Sequence, residues 1–181
     1  MATALRDPDG YSIERLDSSI HRREGFSCGA APLDEYLETQ ASQSQNKNNS
    51  TTHVLLENNL EDQKIRQIVG YVTLTPVTIP LTDPPRVLKK NARETAIHAQ
   101  LIARMAVDRK HQGKRLGEFL LMYALKCCWE ISQMSACPAV FVDAKDENVK
   151  NFYTRFGFHE LSERPLRLYL PIKLVSEILS D

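Results

Sequence analysis

Hydrophobic positions along this chain recur with two periods, about 2 residues in some segments and about 3.6 in others, and their alternation predicts an α/β protein. A short first strand is predicted over residues 12–15. Leu33, Tyr36, Leu37 and Ala41 then fall at helical spacing, with Pro32 near the start and Asp34 and Glu35 in the first turn, where the helix dipole favours negative charge. The run 42–50, SQSQNKNNS, has no apolar side chain to bury and predicts a polar loop. Strand-like runs over 52–57 and 65–75, separated by a polar stretch, predict a hairpin with a long connection. Pro76, Pro80, Pro84 and Pro85 then predict a proline-rich loop over 76–95, which also collects the basic residues Arg86, Lys89, Lys90 and Arg93.

Within residues 96–107, the run 101–107 (LIARMAV) is mostly apolar and reads as a central strand packed on both faces, with Arg104 as the exception. From Lys114 to about Met134 the pattern is helical, with Leu116, Leu120, Tyr123 and Cys127 on one stripe and Phe119 beside it. A short buried strand over 139–142 precedes a short helix over 148–156, closed by Gly157 at the left-handed position that follows a helix end. A last strand over 166–170 and an amphipathic tail complete the pattern. Strands alternating with helices imply a mixed central sheet, with parallel and antiparallel members, flanked by helices.

With 181 residues, 42% of them hydrophobic, the chain is sized for one core, so a single domain over 1–181 is expected. Its 23 basic and 23 acidic side chains cancel, which leaves no global field to attract nucleic acid; any attraction to phosphate has to be local. No stretch approaches the ~20 apolar residues of a membrane helix, and the first residues lack the pattern of a secretory leader. A cytoplasmic protein without a membrane partner is expected. The four cysteines, Cys28, Cys127, Cys128 and Cys137, include no C-x-x-C pair, so neither a zinc site nor a disulfide framework follows, and no metal is expected.

Chemistry concentrates at residues 107–117, VDRKHQGKRLG, where an apolar strand runs through a basic, glycine-containing loop into an amphipathic helix. Such a junction offers unpaired backbone N–H groups and the positive end of a helix dipole, a receptor for phosphate or pyrophosphate. The six residues QGKRLG (112–117) resemble the Q/R-x-x-G-x-G/A pyrophosphate motif of the GNAT acetyltransferases. They are followed, in the right order, by FYTRFGF (152–158), which is similar to the F-Y-x-x-x-G-F sequence ending the last helix in that superfamily. The resemblance implies a GNAT fold and acetyl-CoA as cosubstrate. It implies that the backbone of Met105, Ala106 and Val107 binds the pantetheine arm and that Gln112, Gly113, Lys114, Arg115, Leu116 and Gly117 cradle the pyrophosphate. Tyr153 would protonate the departing thiolate, a role suited to a phenol because its pKa lies within about two units of a thiol's; its other reading is core packing beside Phe152, Phe156 and Phe158. Arg115 stands where the family has a glycine, and a right-handed conformation is expected to accommodate it. Asp146 stands where many members place a pantetheine-contacting asparagine.

Phe26 to Leu37, FSCGAAPLDEYL, is similar to the F-x-C-G-x-x-x-L-D-x-(aromatic)-L opening of GNAT toxins that acetylate the amino acid on charged tRNA. Residues 69–74 (VGYVTL) and 102–108 (IARMAVD) also resemble blocks of that branch, and Arg104 matches its arginine; an ion pair to a neighbouring strand is the alternative for Arg104. An α-amine, with a pKa of about 7.7–8.0, is substantially neutral near pH 7, whereas lysine at about 10.4 is neutral only to about one part in a thousand. No Glu or His has a sequence context that marks it as a base, and His98, His111 and His159 read as surface or packing residues. That absence fits an α-amine, and the resemblance to the toxin branch implies the α-amino group of an aminoacyl-tRNA as the acceptor. Arg86, Lys89, Lys90, Arg93 and Arg104 are candidate substrate contacts, the first four also reading as solvated surface. The branch further implies an antitoxin partner and a homodimer. Two alternatives stand beside it, acetylation of a small-molecule or protein amine and a non-catalytic acetyl-CoA-binding module.

Overall fold

The two-residue and 3.6-residue periods place most of the observed elements. The computed structural model describes residues 8, 10–58, 66–80, 88, 96–162 and 164–180. In chain order these form β1 (Tyr11–Arg15), β2 (His21–Arg22), α1 (Ala31–Glu35), a π-helical turn (Tyr36–Gln40), α2 (Ala41–Asn46), β3 (Thr51–Glu57), β4 (Arg66–Pro80) and β5 (Ala96–Val107). A tight 3₁₀ turn (Arg109–His111), α3 (Leu116–Met134), β6 (Ala139–Asp143), α4 (Glu147–Arg155), β7 (His159–Leu161), β8 (Arg164–Pro171) and α5 (Ile172–Ser180) follow. Described residues within 5–75 and 104–124 form one compact unit and those within 76–103 and 125–180 another; β4, β5 and α3 contribute to both.

In the unit that contains the N-terminal half, the strand order is β1-β3-β4-β5. The expected hairpin is present: β3 and β4 pair antiparallel from Thr51↔Leu74 to Leu55↔Gly70, with a bulge between Leu55 and Leu56. β1 pairs antiparallel with β3, and β2 parallel with the start of β4. One face of these strands buries Val54, Leu56, Tyr71 and Ala106 against Phe26, Tyr36 and Leu37. On β4, a Cβ at Gly70 would lie 3.1 Å from both the Ala106 carbonyl and Leu120 Cδ1, so the missing side chain is what lets α3 approach so closely.

The polar run 42–50 is not a loop throughout, since α2 extends to Asn46. Its polar side chains make bonds that a hydropathy pattern does not register. Buried Gln45 donates to the Leu16 carbonyl at 2.7 Å and accepts from the Thr52 N–H at 3.1 Å, tying the helix end to β3.

In the other unit the strand order is β5-β6-β8-β7. β5 and β6 are parallel over Gln100↔Val140 to Ile102↔Val142, and β6 and β8 antiparallel from Ala139↔Pro171 to Asp143↔Arg167. A forked Arg167–Asp143 pair, with both N···O distances 2.6 Å, closes that ladder. Leu88, Ile97, Ala99, Ala139, Phe141 and Tyr169 form one buried apolar cluster of this unit. The mixed α/β sheet flanked by helices is thus as expected.

Three other expectations change. The region from Pro76 to Pro80 continues β4, because Val77 and Ile79 pack against the core while Pro76, Thr78 and Pro80 face out; the strand alternation outlasts two prolines, each of which removes only its own N–H. Residues 81–87 and 89–95 lie outside the described residues. Along α3 the fully buried stripe is Leu116, Leu120, Leu121, Ala124, Leu125 and Cys128, with Tyr123 and Cys127 at its margin. β7 and β2 were not expected, being too short for any period to register.

Candidate active site

β5 delivers the chain to the basic loop. Asp108, buried at its end, caps the 3₁₀ turn by accepting from the Lys110 N–H at 2.9 Å, and its other oxygen accepts from the Ser27 N–H at 3.0 Å. Gln112 folds its side-chain amide back, donating to the carbonyls of Val107 and Cys28, both at 3.0 Å. Gly113 and Arg115 then take left-handed backbone conformations, with φ of 80° and 60°, and α3 begins at Leu116. Phe119 is the first residue whose N–H reaches back into the helix, to the Arg115 carbonyl at 3.2 Å. By helix geometry the N–H groups of Leu116, Gly117 and Glu118 have no intrahelical acceptor. A Cβ at Gly113 or Gly117 would meet nothing within 4 Å, so the loop opens onto free space, and the side chains of Lys114 and Arg115 are exposed beside it. These donors, the dipole end and the two cations fit a pyrophosphate.

The right-handed conformation expected of Arg115 is not the one it adopts. At φ 60° its Cβ crowds the following carbonyl, at a cost of roughly 1–2 kcal/mol that glycine would not incur. The family motif has glycine at this position, and the backbone geometry gives the reason.

Upstream on β5, Arg104 is half-buried, with its guanidinium carbon 3.8 Å from the centroid of the Tyr36 ring. Among the described residues it makes no ion pair, the alternative weighed for it, and a cation–π contact to Tyr36 is found there. Tyr36 opens the π-helical turn and stacks with Tyr71 at 6.4 Å, and the Tyr71 hydroxyl donates to the Leu33 carbonyl at 2.8 Å. Burial, with smaller contributions from Cys28 and other neighbours, raises the Tyr71 phenol above its ordinary value. The Cys28 thiol is likewise pushed up to about 11, by burial and by the Asp34 carboxylate, so it stays protonated and unreactive. Met105, Ala106 and Val107 follow the stretch of β5 that pairs with β6, and the Val107 carbonyl is taken by Gln112.

Tyr153 lies on α4, buried, with ring centroids 5.2 Å from Phe152 and 5.5 Å from Phe158. Burial raises its phenol, which remains a proton donor throughout the neutral range. The end of α4 is locked around it. The Tyr153 carbonyl accepts from the N–H groups of Phe156 and Phe158, and Gly157, at φ 85°, makes the left-handed turn that was expected. Asp146 is the N-cap of the same helix, accepting from the Val149 N–H at 2.9 Å. One oxygen of its carboxylate is thus engaged in starting α4, at the position where the sequence resemblance implies a contact with pantetheine. Arg86, Lys89, Lys90 and Arg93 lie outside the described residues. Among the described residues no group of three His, Cys, Asp or Glu side chains is placed to hold a metal ion.

Sequence reasoning overlooked Asp108 and the backbone of Ser27 and Cys28. The signal was present in the FSCG and AVD blocks, but nothing in either one says that they touch.

A family model described as an acetyltransferase (GNAT) domain matches residues 48–160, more than half of the chain. The chain belongs to that family. It is an acetyl-CoA-dependent acetyltransferase. A tRNA-acetylating toxin from Mycobacterium tuberculosis is 28% identical to it over 172 residues, spanning 95% of this chain and 99% of the relative. Among solved structures, AtaTR bound with acetyl-CoA superposes with a TM-score of 0.81 at 27% identity, over 94% of this acetyltransferase and 99% of that chain. AtaT complexed with acetyl-methionyl-tRNAfMet gives 0.82 at 26%, over 93% and 98%. No helix among the described residues is long and apolar enough to cross a membrane.

Proposed function

We propose that this acetyltransferase moves the acetyl group of acetyl-CoA to the α-amino group of an aminoacyl-tRNA, as the toxin of a toxin–antitoxin pair. The observation that carries this reading is the end-to-end likeness to a tRNA-acetylating toxin, which leaves almost no part of either chain unmatched. The chemistry agrees with it. An α-amine is substantially neutral near pH 7, so attack on the thioester needs little assistance from a base. The amine nitrogen forms a bond to the acetyl carbon and sheds a proton to solvent, the tetrahedral adduct collapses with cleavage of the carbon–sulfur bond, and Tyr153 donates its proton to the departing sulfur and is reprotonated from solvent. Its phenol keeps its proton at neutral pH and so has one to give, while burial, by raising it, widens the gap to the thiol that the transfer has to cross.

Cofactor placement divides between main chain and loop. The Met105–Val107 backbone takes the pantetheine arm, while residues 112–117 take the pyrophosphate through the first N–H groups of α3 and through Lys114. Arg104, together with the basic residues Arg86, Lys89, Lys90 and Arg93, meets the acceptor. The working unit is one acetyltransferase domain over 1–181 that acts in the cytoplasm as a homodimer and is neutralised by an antitoxin protein.

The test is incubation of the purified protein with labelled acetyl-CoA and a total pool of charged tRNA, beside Tyr153→Phe. Label on the aminoacyl group that depends on Tyr153 is the expected result. Intact cofactor binding with no label on tRNA would turn the assignment to a small-molecule or protein amine, and label unaffected by Tyr153→Phe would remove Tyr153 from the chemistry.

A further inference from the structure

The cofactor loop is attached to a turn far from it in sequence. Three hydrogen bonds join residues 108–112 to Ser27 and Cys28: Ser27 N–H to Asp108 Oδ2 at 3.0 Å, Arg109 N–H to the Ser27 carbonyl at 2.8 Å, and Gln112 Nε2 to the Cys28 carbonyl at 3.0 Å. The Arg109 guanidinium lies over Gly29 so closely that a Cβ there would sit 2.9 Å from Nε. The turn is in turn held to α1, because Asp34 accepts from the Cys28 N–H at 2.8 Å and from the Ser27 hydroxyl at 3.3 Å. Asp108 binds both sides at once, with one oxygen on the loop's own Lys110 N–H and the other on the turn, and it is the charged member of this set that does so; the Gln112 amide, shared between the Val107 and Cys28 carbonyls, is the neutral one. His111, whose Nδ1 is 3.9 Å from Asp108 Oδ1, is beyond hydrogen-bonding range.

A buried carboxylate is expensive to desolvate, and two N–H donors are the compensation found here. The loop it governs includes two left-handed residues, Gly113 and Arg115, one of them strained. A strained loop persists only where its surroundings over-determine it. We propose that Asp108 is a positioning residue for cofactor binding: by clamping the loop to the Ser27–Gly29 turn it holds residues 112–117 in the shape that receives the pyrophosphate, without touching the cofactor. The assignment rests on acetyl-CoA being bound at this loop.

It predicts a loss confined to the phosphate-bearing part of the ligand. Asp108→Asn keeps one acceptor oxygen and the same volume, and Asp108→Ala removes both acceptors. Binding of CoA and of pantetheine, which lacks the pyrophosphate and nucleotide, is titrated for each variant and for wild type, with thermal unfolding as the control for folding. Asp108→Asn raises the Kd for CoA about tenfold, Asp108→Ala raises it further, and the Kd for pantetheine changes less than about twofold. An equal loss for both ligands would make Asp108 a general stabiliser of the fold and overturn the proposal, as would unchanged CoA affinity in Asp108→Ala. Failure of the wild-type protein to bind CoA would instead overturn the cofactor assignment on which it rests.

Discussion

Tyr153, Arg115 and Tyr71 show how a single side chain's surroundings decide its use. Tyr153 is enclosed by Phe152 and Phe158, and removing its hydroxyl leaves that packing in place. Tyr153→Phe is expected to lower kcat by about 10²-fold or more, the usual share of proton transfer, with the Kd for acetyl-CoA unchanged; steady-state kinetics beside calorimetric titration checks it. Arg115→Gly removes the left-handed penalty of roughly 1–2 kcal/mol but adds about 0.5–1 kcal/mol of unfolded-state entropy. The net expectation is a gain of up to about 1.5 kcal/mol in urea unfolding, and a loss would mean that the guanidinium makes contacts that outweigh the strain. Tyr71 and Tyr153 both hold their protons more tightly when folded than the ordinary value of 10.0. Above about pH 10 the unfolded chain therefore binds fewer protons than the native one, and stability falls as pH rises. Urea midpoints between about pH 9 and 11 should decline less steeply in Tyr71→Phe than in wild type.

At the scale of elements, the ends of α4 determine where Tyr153 sits. Asp146 caps its start and Gly157 closes its end, so Tyr153 is carried on a short helix fixed at both termini. Asp146→Ala is expected to cost about 1 kcal/mol by denaturant unfolding, while Asp146→Asn, an equally good cap, costs almost nothing. A Cβ at Gly157 would meet only ordinary contacts, 3.7 Å from Leu170 Cδ1 and 3.8 Å from Ile178 Cδ1. Gly157→Ala therefore loses stability through backbone conformation alone, about 1–2 kcal/mol, measured in the same way. The long strand β4 carries a further lesson. Its alternation of Val77 and Ile79 with exposed neighbours overrode two prolines that, read singly, mark a break.

For the whole molecule, a toxin reading has a consequence that no single site reveals. Induced expression of the wild-type chain is expected to arrest growth, and Tyr153→Phe to abolish the arrest; growth curves of the two strains decide it. Light scattering at micromolar concentration is expected to return the mass of a dimer. If the acceptor is an aminoacyl-tRNA, as proposed, the neutral net charge requires a local basic surface to bind it, so affinity for tRNA is expected to fall steeply with added salt despite a formal charge of zero.

Much of this protein was legible in its sequence because the deciding interactions are local. Apolar patterning located β3, β6, α3 and α4 to within a few residues, and the second half of β5, since each carries its pattern along its own length. The strand–loop–helix junction at 107–117 and the helix end at Gly157 were legible for the same reason, each being a contiguous run, although Arg115 took the left-handed conformation in place of the expected right-handed one. Tertiary structure decided the rest. Gln45 makes a helix of a polar run by bonding to Leu16 and Thr52, Arg104 meets a tyrosine ring, and Asp108 reaches Ser27 across a sequence separation of 81. A hydrogen bond or ring contact between distant residues leaves no period in either segment, so the chain has to fold before its partners are defined.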